Sequence, residues 1–147
     1  MEDVRFRAYQ ETDRAVCMRI LDANTPRFFA TNEREQYLAF LDTESARYRV
    51  CVTADKVIGA FGLSRDGSGD AHLNWILIDP AAQGRGIGSK IMAKVISDAR
   101  DLGARSMKIA ASHKSCPFFE RLGATVESTQ EHGWGNGMHR VDMRLAL

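Results

Sequence analysis

One segment constrains the fold more than any other: Ile76-Leu77-Ile78-Asp79-Pro80-Ala81-Ala82-Gln83-Gly84-Arg85-Gly86-Ile87-Gly88-Ser89. An apolar run ends at a proline, three alternating glycines follow, and a helix starts. Residues 89–102 carry the best apolar stripe in the chain, Ile91, Met92, Val95, Ile96, Ala99 and Leu102, with Gly103 where a C′ residue belongs. Glycine takes φ > 0 without strain and lets the backbone come close to a ligand. The first N–H groups of a helix have no internal partner, and the helix dipole is positive there. Together these make a cradle for a diphosphate. It is neither of two common phosphate loops. A P-loop needs Lys directly after its last glycine, whereas the order here is Gly88-Ser89-Lys90; a dinucleotide loop needs Gly-x-Gly-x-x-Gly, whereas Gly84, Gly86 and Gly88 alternate. On its glycines alone, the segment reads equally as a bare strand-to-helix turn.

The surrounding pattern predicts a mixed α/β domain. Residues 4–9 alternate as a half-buried strand, with Val4, Phe6 and Ala8 on one side. Thr12 is a fair cap for a helix carrying Val16, Cys17, Ile20 and Leu21, which Pro26 ends. Asn32 and Glu35 have capping-box spacing before a helix with Tyr37, Leu38 and Leu41. Residues 47–53 and 56–64 read as a hairpin, and residues 71–78 as a third strand after the turn Asp66-Gly67-Ser68-Gly69. Residues 107–111 form a short buried strand, expected parallel to that third one, and residues 117–122 a short helix. Residues 125–131 and 138–145 are two last strands, joined by the glycine-rich connection Gly133-Trp134-Gly135-Asn136-Gly137. The expectation is one domain over residues 1–147, with a twisted seven-stranded sheet flanked by about four helices.

Composition narrows the function. With 20 Lys and Arg against 19 Asp and Glu, the net charge is +1, so no global field draws the chain to nucleic acid or an anionic membrane. No apolar run reaches the ~18 residues of a membrane span. The start Met1-Glu2-Asp3 lacks the pattern of a signal peptide. Cys17, Cys51 and Cys116 are odd in number and widely spaced, which argues against a disulfide framework. The four His and three Cys show no metal-ligand spacing, so no metal is expected. The chain reads as a cytoplasmic protein with reduced thiols.

Gln83, Gly86 and Gly88 after Ile78-Asp79-Pro80 resemble the signature of the GNAT acetyltransferase superfamily, Gln/Arg-x-x-Gly-x-Gly/Ala after a strand ending in Val-x-Pro. The element order matches that superfamily over nearly the whole chain. Phe118-Phe119-Glu120-Arg121-Leu122-Gly123-Ala124 resembles its second mark, an aromatic pair, a short spacer and Gly. The resemblance implies an N-acetyltransferase that moves an acetyl group from acetyl-CoA directly to a primary amine of a small molecule or peptide. It implies that the backbone of Gln83, Gly84, Arg85, Gly86, Ile87 and Gly88, with Ser89, holds the pyrophosphate. It also implies that main-chain groups of Ile76 and Ile78 pair with pantetheine as an added strand would.

Amine acetylation needs a base for the ammonium, donors for the carbonyl oxygen, and a route for the departing thiolate. The family often places a Tyr where this chain has Phe119, which has no proton to give. Cys116, Ser115 or Ser112 could substitute, or the thiolate leaves unaided. The alternative reading is a catalytically silent acyl-CoA-binding or regulatory module. His72 is the preferred base: it lies eleven residues before Gln83, where histone-type relatives carry a catalytic Glu, and strand alternation puts it on one face with Asn74, Ile76 and Ile78. Phe28 and Phe29 between the first two helices, with Asn74 and Trp134, are the expected acceptor contacts. A homodimer is left open.

Overall fold

In a computed structural model of the chain, residues 3–147 are described; the reading of the first residues, Met1 and Glu2, lies outside them. The elements run β1 (Arg5–Ala8), α1 (Arg14–Ala23), α2 (Glu33–Thr43), β2 (Arg49–Thr53), β3 (Lys56–Arg65), β4 (Ala71–Ile78), α3 (Ile87–Asp101), β5 (Ser106–Ser112), α4 (Cys116–Arg121), β6 (Thr125–Gly135) and β7 (Met138–Ala146). The strands form one seven-stranded sheet in the order β1-β2-β3-β4-β5-β7-β6. Neighbours are antiparallel except β4 and β5, which are parallel as expected. Among the described residues no helix is long and apolar enough to cross a membrane.

Strand alternation divides the core into two layers. On β2 and β3, Val50 and Ala60 pack with Ile20, Leu21 and Tyr37 from α1 and α2. Their neighbours Cys51 and Phe61 point the other way, to Ile91, Met92 and Val95 of α3. On β4 the alternation breaks. Ala71 and Leu73 face α3, but Leu77 lies in the α1/α2 layer while Ile76 and Ile78 pack toward α3. One extra residue causes this: the register with β3 slips between Gly62↔Asn74 and Ala60↔Leu77, and Trp75 takes φ +45°. A bulge inverts every side chain beyond it. The expectation that His72 shares a face with Ile76 and Ile78 is therefore corrected.

The Trp75 carbonyl is held by the Tyr48 hydroxyl at 2.5 Å, and that hydroxyl lies 3.0 Å from the Tyr37 hydroxyl in the buried layer. A cost of ~1–3 kcal/mol for the strained backbone is offset by this fixed partner. Beyond the bulge β4 leaves β5. The two strands pair only at Ala71↔Met107, His72↔Lys108 and Leu73↔Ile109, so the edge of β4 from Asn74 onward faces a gap.

Several local expectations shift. Thr12 lies inside a 3-10 turn (Glu11–Asp13) rather than capping α1; Asp13 Oδ2 there accepts from the Gln10 N–H at 2.8 Å. Asn32 does not cap α2. Glu33 Oε2 instead accepts the Ala30 N–H at 2.6 Å, and Asn32 Nδ2 donates to the Trp134 carbonyl at 2.8 Å. That contact and the Trp134 Nε1–H bond to the Ala111 carbonyl, 2.9 Å, draw the glycine-rich connection into the sheet, so β6 runs on to Gly135. Ala8 is exposed, because the short β1 lies at the sheet edge.

Candidate functional site

The divergence of β4 from β5 opens a cleft of about 680 Å³. Its walls are Asn74–Ile78 of β4 and Ile109–Ser112 of β5. The α3 loop and Phe118 and Phe119 of α4 line one part; Phe28, Phe29, Glu33, Trp75 and Trp134 also line it.

The loop ahead of α3 is built for close approach. Asp79 Oδ1 accepts the Ala81 N–H at 3.0 Å and ends the strand at the proline turn. Gly84 and Gly86 have φ of +83° and +74°, where L side chains are strained, and the space where a Cβ would stand is open at both. The first backbone bond of α3 runs from the Lys90 N–H to the Gly86 carbonyl at 3.2 Å. The N–H groups of Ile87, Gly88 and Ser89 precede it and have no helical acceptor, so the loop fits an anion. Gly88 is needed for a different reason: a Cβ there would come within 3.1 Å of the Phe118 ring and 3.4 Å of Ile78 Cδ1. Gln83 acts as a latch, its Nε2 donating to the Ile78 carbonyl at 3.3 Å and to Asn24 Oδ1 at 3.4 Å.

Of the residues expected to hold a cofactor, Ile76, Ile78, Gln83, Gly84, Gly86, Gly88, Ser89, Ser112 and Phe119 line the cleft. Two side chains do not. Arg85 turns back, Nη2 donating to the Ala81 carbonyl at 2.9 Å, and Ile87 is buried in the core beneath α3. All four expected acceptor contacts, Phe28, Phe29, Asn74 and Trp134, line the cleft. Phe29 stacks on Trp75 with ring centroids 6.2 Å apart, which ties the α1–α2 loop to the bulge.

The two expected catalytic side chains are elsewhere. His72 lies where β4 and β5 are still paired, outside the cleft lining, and its Nε2 is 2.7 Å from Asp66 Oδ2. That hydrogen bond, and the one from Ser68, hold the Asp66 carboxyl well below the usual carboxylate range. Cys116 is the first residue of α4 rather than a residue ahead of it; it is buried, does not line the cleft, and its Sγ donates to Glu120 Oε1 at 3.5 Å. Burial and that bond push the thiol up, not down. Neither side chain lines the cleft: His72 lies on the paired part of β4, and Cys116 is buried at the start of α4.

The acid that does line the cleft is Glu33, only 3% exposed. Its single hydrogen bond uses Oε2. Among the described residues no fully buried side-chain oxygen lacks a partner, so Oε1, which has none, is not fully buried. Burial pushes this carboxyl up to about 7, with the Ala30 N–H opposing. The sequence carries a weak sign of it: Ala30 and Glu33 have capping-box spacing, but with Ala at the cap the pattern is incomplete.

Three histidines tie the β6–β7 hairpin around Trp134 to the end of β5. The Gly137 N–H donates to His132 Nδ1 at 2.7 Å, the His132 N–H to His139 Nδ1 at 3.0 Å, and the His139 N–H to His113 Nδ1 at 3.1 Å. Each Nδ1 accepts, so the ring proton sits on Nε2. Burial, then the neighbouring His139, hold His113 below its ordinary value.

A profile of the Acetyltransferase (GNAT) family matches residues 17–124. A curated relative, glucosamine 6-phosphate N-acetyltransferase of Trypanosoma brucei brucei, is 28% identical over 67 residues, 46% of each chain; the matched stretch thus spans about half the length of that relative. Among solved structures, a GNAT-family protein of Desulfovibrio desulfuricans superposes with a TM-score of 0.79 at 24% identity, covering 98% of this chain and 99% of that one. Ard1 of Thermoplasma volcanium gives 0.82 at 15% identity, with 98% and 97% covered. The Salmonella typhimurium yncA, solved with its cofactor acetyl-CoA, gives 0.73 at 20% identity, with 99% and 94% covered. The profile spans both helical layers and both walls of the cleft, and on that match the chain belongs to the GNAT family of acetyltransferases.

Proposed function

We propose that the protein is an acetyl-CoA-dependent N-acetyltransferase that transfers the acetyl group directly to a primary amine, with Glu33 as the proton acceptor. The observation that carries this reading is the cleft itself. An anion cradle, an unpaired strand edge and a buried carboxylate with one free oxygen line a single space. The N–H groups of Ile87, Gly88 and Ser89 hold the pyrophosphate, and the β4 edge at Ile76 and Ile78 pairs with pantetheine where β5 has departed. Family membership and the acetyl-CoA in the yncA structure support this cosubstrate.

Bound acetyl-CoA supplies an activated thioester; the chain supplies position and proton transfer. The acceptor enters as an ammonium, which cannot attack. Glu33 Oε1 takes its proton, and a carboxyl pushed to about 7 is matched to this work near neutrality. Phe119 walls the cleft and gives no proton, so the thiolate departs unaided, consistent with a thiol of pKa ~8.5 as a fair leaving group. Three free buried cysteines support a reducing, cytoplasmic setting.

Phe119 also favours the rival reading, an acyl-CoA-binding module without turnover. Calorimetry with coenzyme A, paired with thiol release across an amine panel, separates them. Binding with amine-dependent release supports the transferase. Binding without release for every amine favours the module, and no binding defeats both.

A further inference from the structure

We infer that the amine acceptor is a compact, apolar or aromatic amine carrying no carboxylate or phosphate. This rests on the transferase reading and deepens it. The chemistry of the lining carries it. Phe28, Phe29, Trp75 and Trp134 present four aromatic side chains to the cleft, and Glu33 is the one acid in its lining. Aromatic faces beside a carboxylate suit an ammonium on an apolar body: the rings take the body and the cation, and the carboxylate takes the charge.

The four rings and Glu33 themselves offer an anionic group no cationic partner. The cations in the lining are Lys114 and Arg121, both on the segment from β5 through α4 that also carries Ser112 and Phe119. Two other arginines touch the aromatics from outside the lining. Arg27 covers the Phe28 ring at 4.9 Å, and Arg140 covers the Trp134 ring at 5.0 Å with its Nε on Asp142 at 2.8 Å. A carboxylate inside the cleft would share its lining with the Glu33 carboxylate, and like charges repel. The pantetheine arm shares the same 680 Å³, which limits the acceptor to a small body. This class differs from the phosphorylated amino sugar named for the curated relative.

Matched pairs test the inference: 2-phenylethylamine against L-phenylalanine, and glucosamine against glucosamine 6-phosphate. Thiol release is followed with acetyl-CoA. The expected kcat/KM for 2-phenylethylamine exceeds that for L-phenylalanine by ~10²-fold or more, because the site leaves the carboxylate unpaired. A second readout is independent of turnover. Both tryptophans of the chain line the cleft, so their fluorescence reports an amine bound beside desulfo-coenzyme A. Saturable quenching by 2-phenylethylamine, with none by L-phenylalanine at the same concentrations, supports the acceptor class even where no thiol is released; that combination would defeat the transferase reading alone. Equal or tighter binding of L-phenylalanine or glucosamine 6-phosphate, or no quenching by any amine, overturns the inference and leaves cofactor binding and transfer to be judged by the thiol assay.

Discussion

Replacing Glu33 with Gln keeps the size of the side chain and an oxygen for the Ala30 N–H, and removes only the titration. In the parent the carboxyl is raised from its ordinary 4.5 to about 7 by burial. The proton acceptor is then about half ionised near neutrality, and log kcat/KM should rise with pH below about 7 and level off above it. Glu33→Gln should lower kcat/KM by ~10²–10³-fold at pH 7.5 and flatten that limb, with coenzyme A affinity unchanged. Stability should move oppositely. A group whose folded pKa is raised contributes stability that is fully present below 4.5 and lost as pH rises through about 7. The shift is worth ~3 kcal/mol between the neutral and ionised forms, an upper bound set by complete burial. Parent and variant should therefore melt alike near pH 4.5, whereas by pH 9 the variant should be the more stable. At ~2–4 °C per kcal/mol, the gap there reaches several degrees. Thermal melts across pH and steady-state rates on the same preparations check both arms. A parent-like rate limb in the variant would remove Glu33 from the reaction, and equal stability at pH 9 would show that its carboxylate is well solvated.

Three other substitutions probe the frame. Gly86→Glu should abolish coenzyme A binding in calorimetry while the protein stays folded, because it puts a strained backbone and a negative charge in the cradle; retained affinity would move the pyrophosphate elsewhere. His72→Ala should leave kcat/KM near the parental value, since the imidazole is engaged with Asp66 outside the cleft; a large loss with intact fold would restore it as the base. Tyr48→Phe should cost ~1–2 kcal/mol in denaturant unfolding, because the Trp75 carbonyl loses its donor, and should weaken coenzyme A binding by loosening the bulge. A silent variant would mean that the bulge holds without that bond.

Periodicity and local chemistry were enough to read the element order and the glycine-rich turn ahead of α3. Each depends on neighbours in sequence: alternation along a strand, a stripe along a helix, glycines where φ is positive. The parallel pairing of β4 with β5 came with the family resemblance. Phe28, Phe29 and Trp134 were legible as large side chains in loops with no stripe to join, and all three line the cleft. The base was not. Strand parity set His72 beside Ile76 and Ile78, and one inserted residue at Trp75, pinned by Tyr48 27 positions away in sequence, reversed the face. Nor was the enclosure of Cys116 legible: burial under the fold, which no local pattern records, pushes its thiol up. Glu33 needed the whole fold. Its burial comes from α2 docking on the sheet, and its free oxygen from a cleft that exists only because β4 and β5 part. Desolvation depends on every element that excludes water from a group, and those elements meet only in the folded chain.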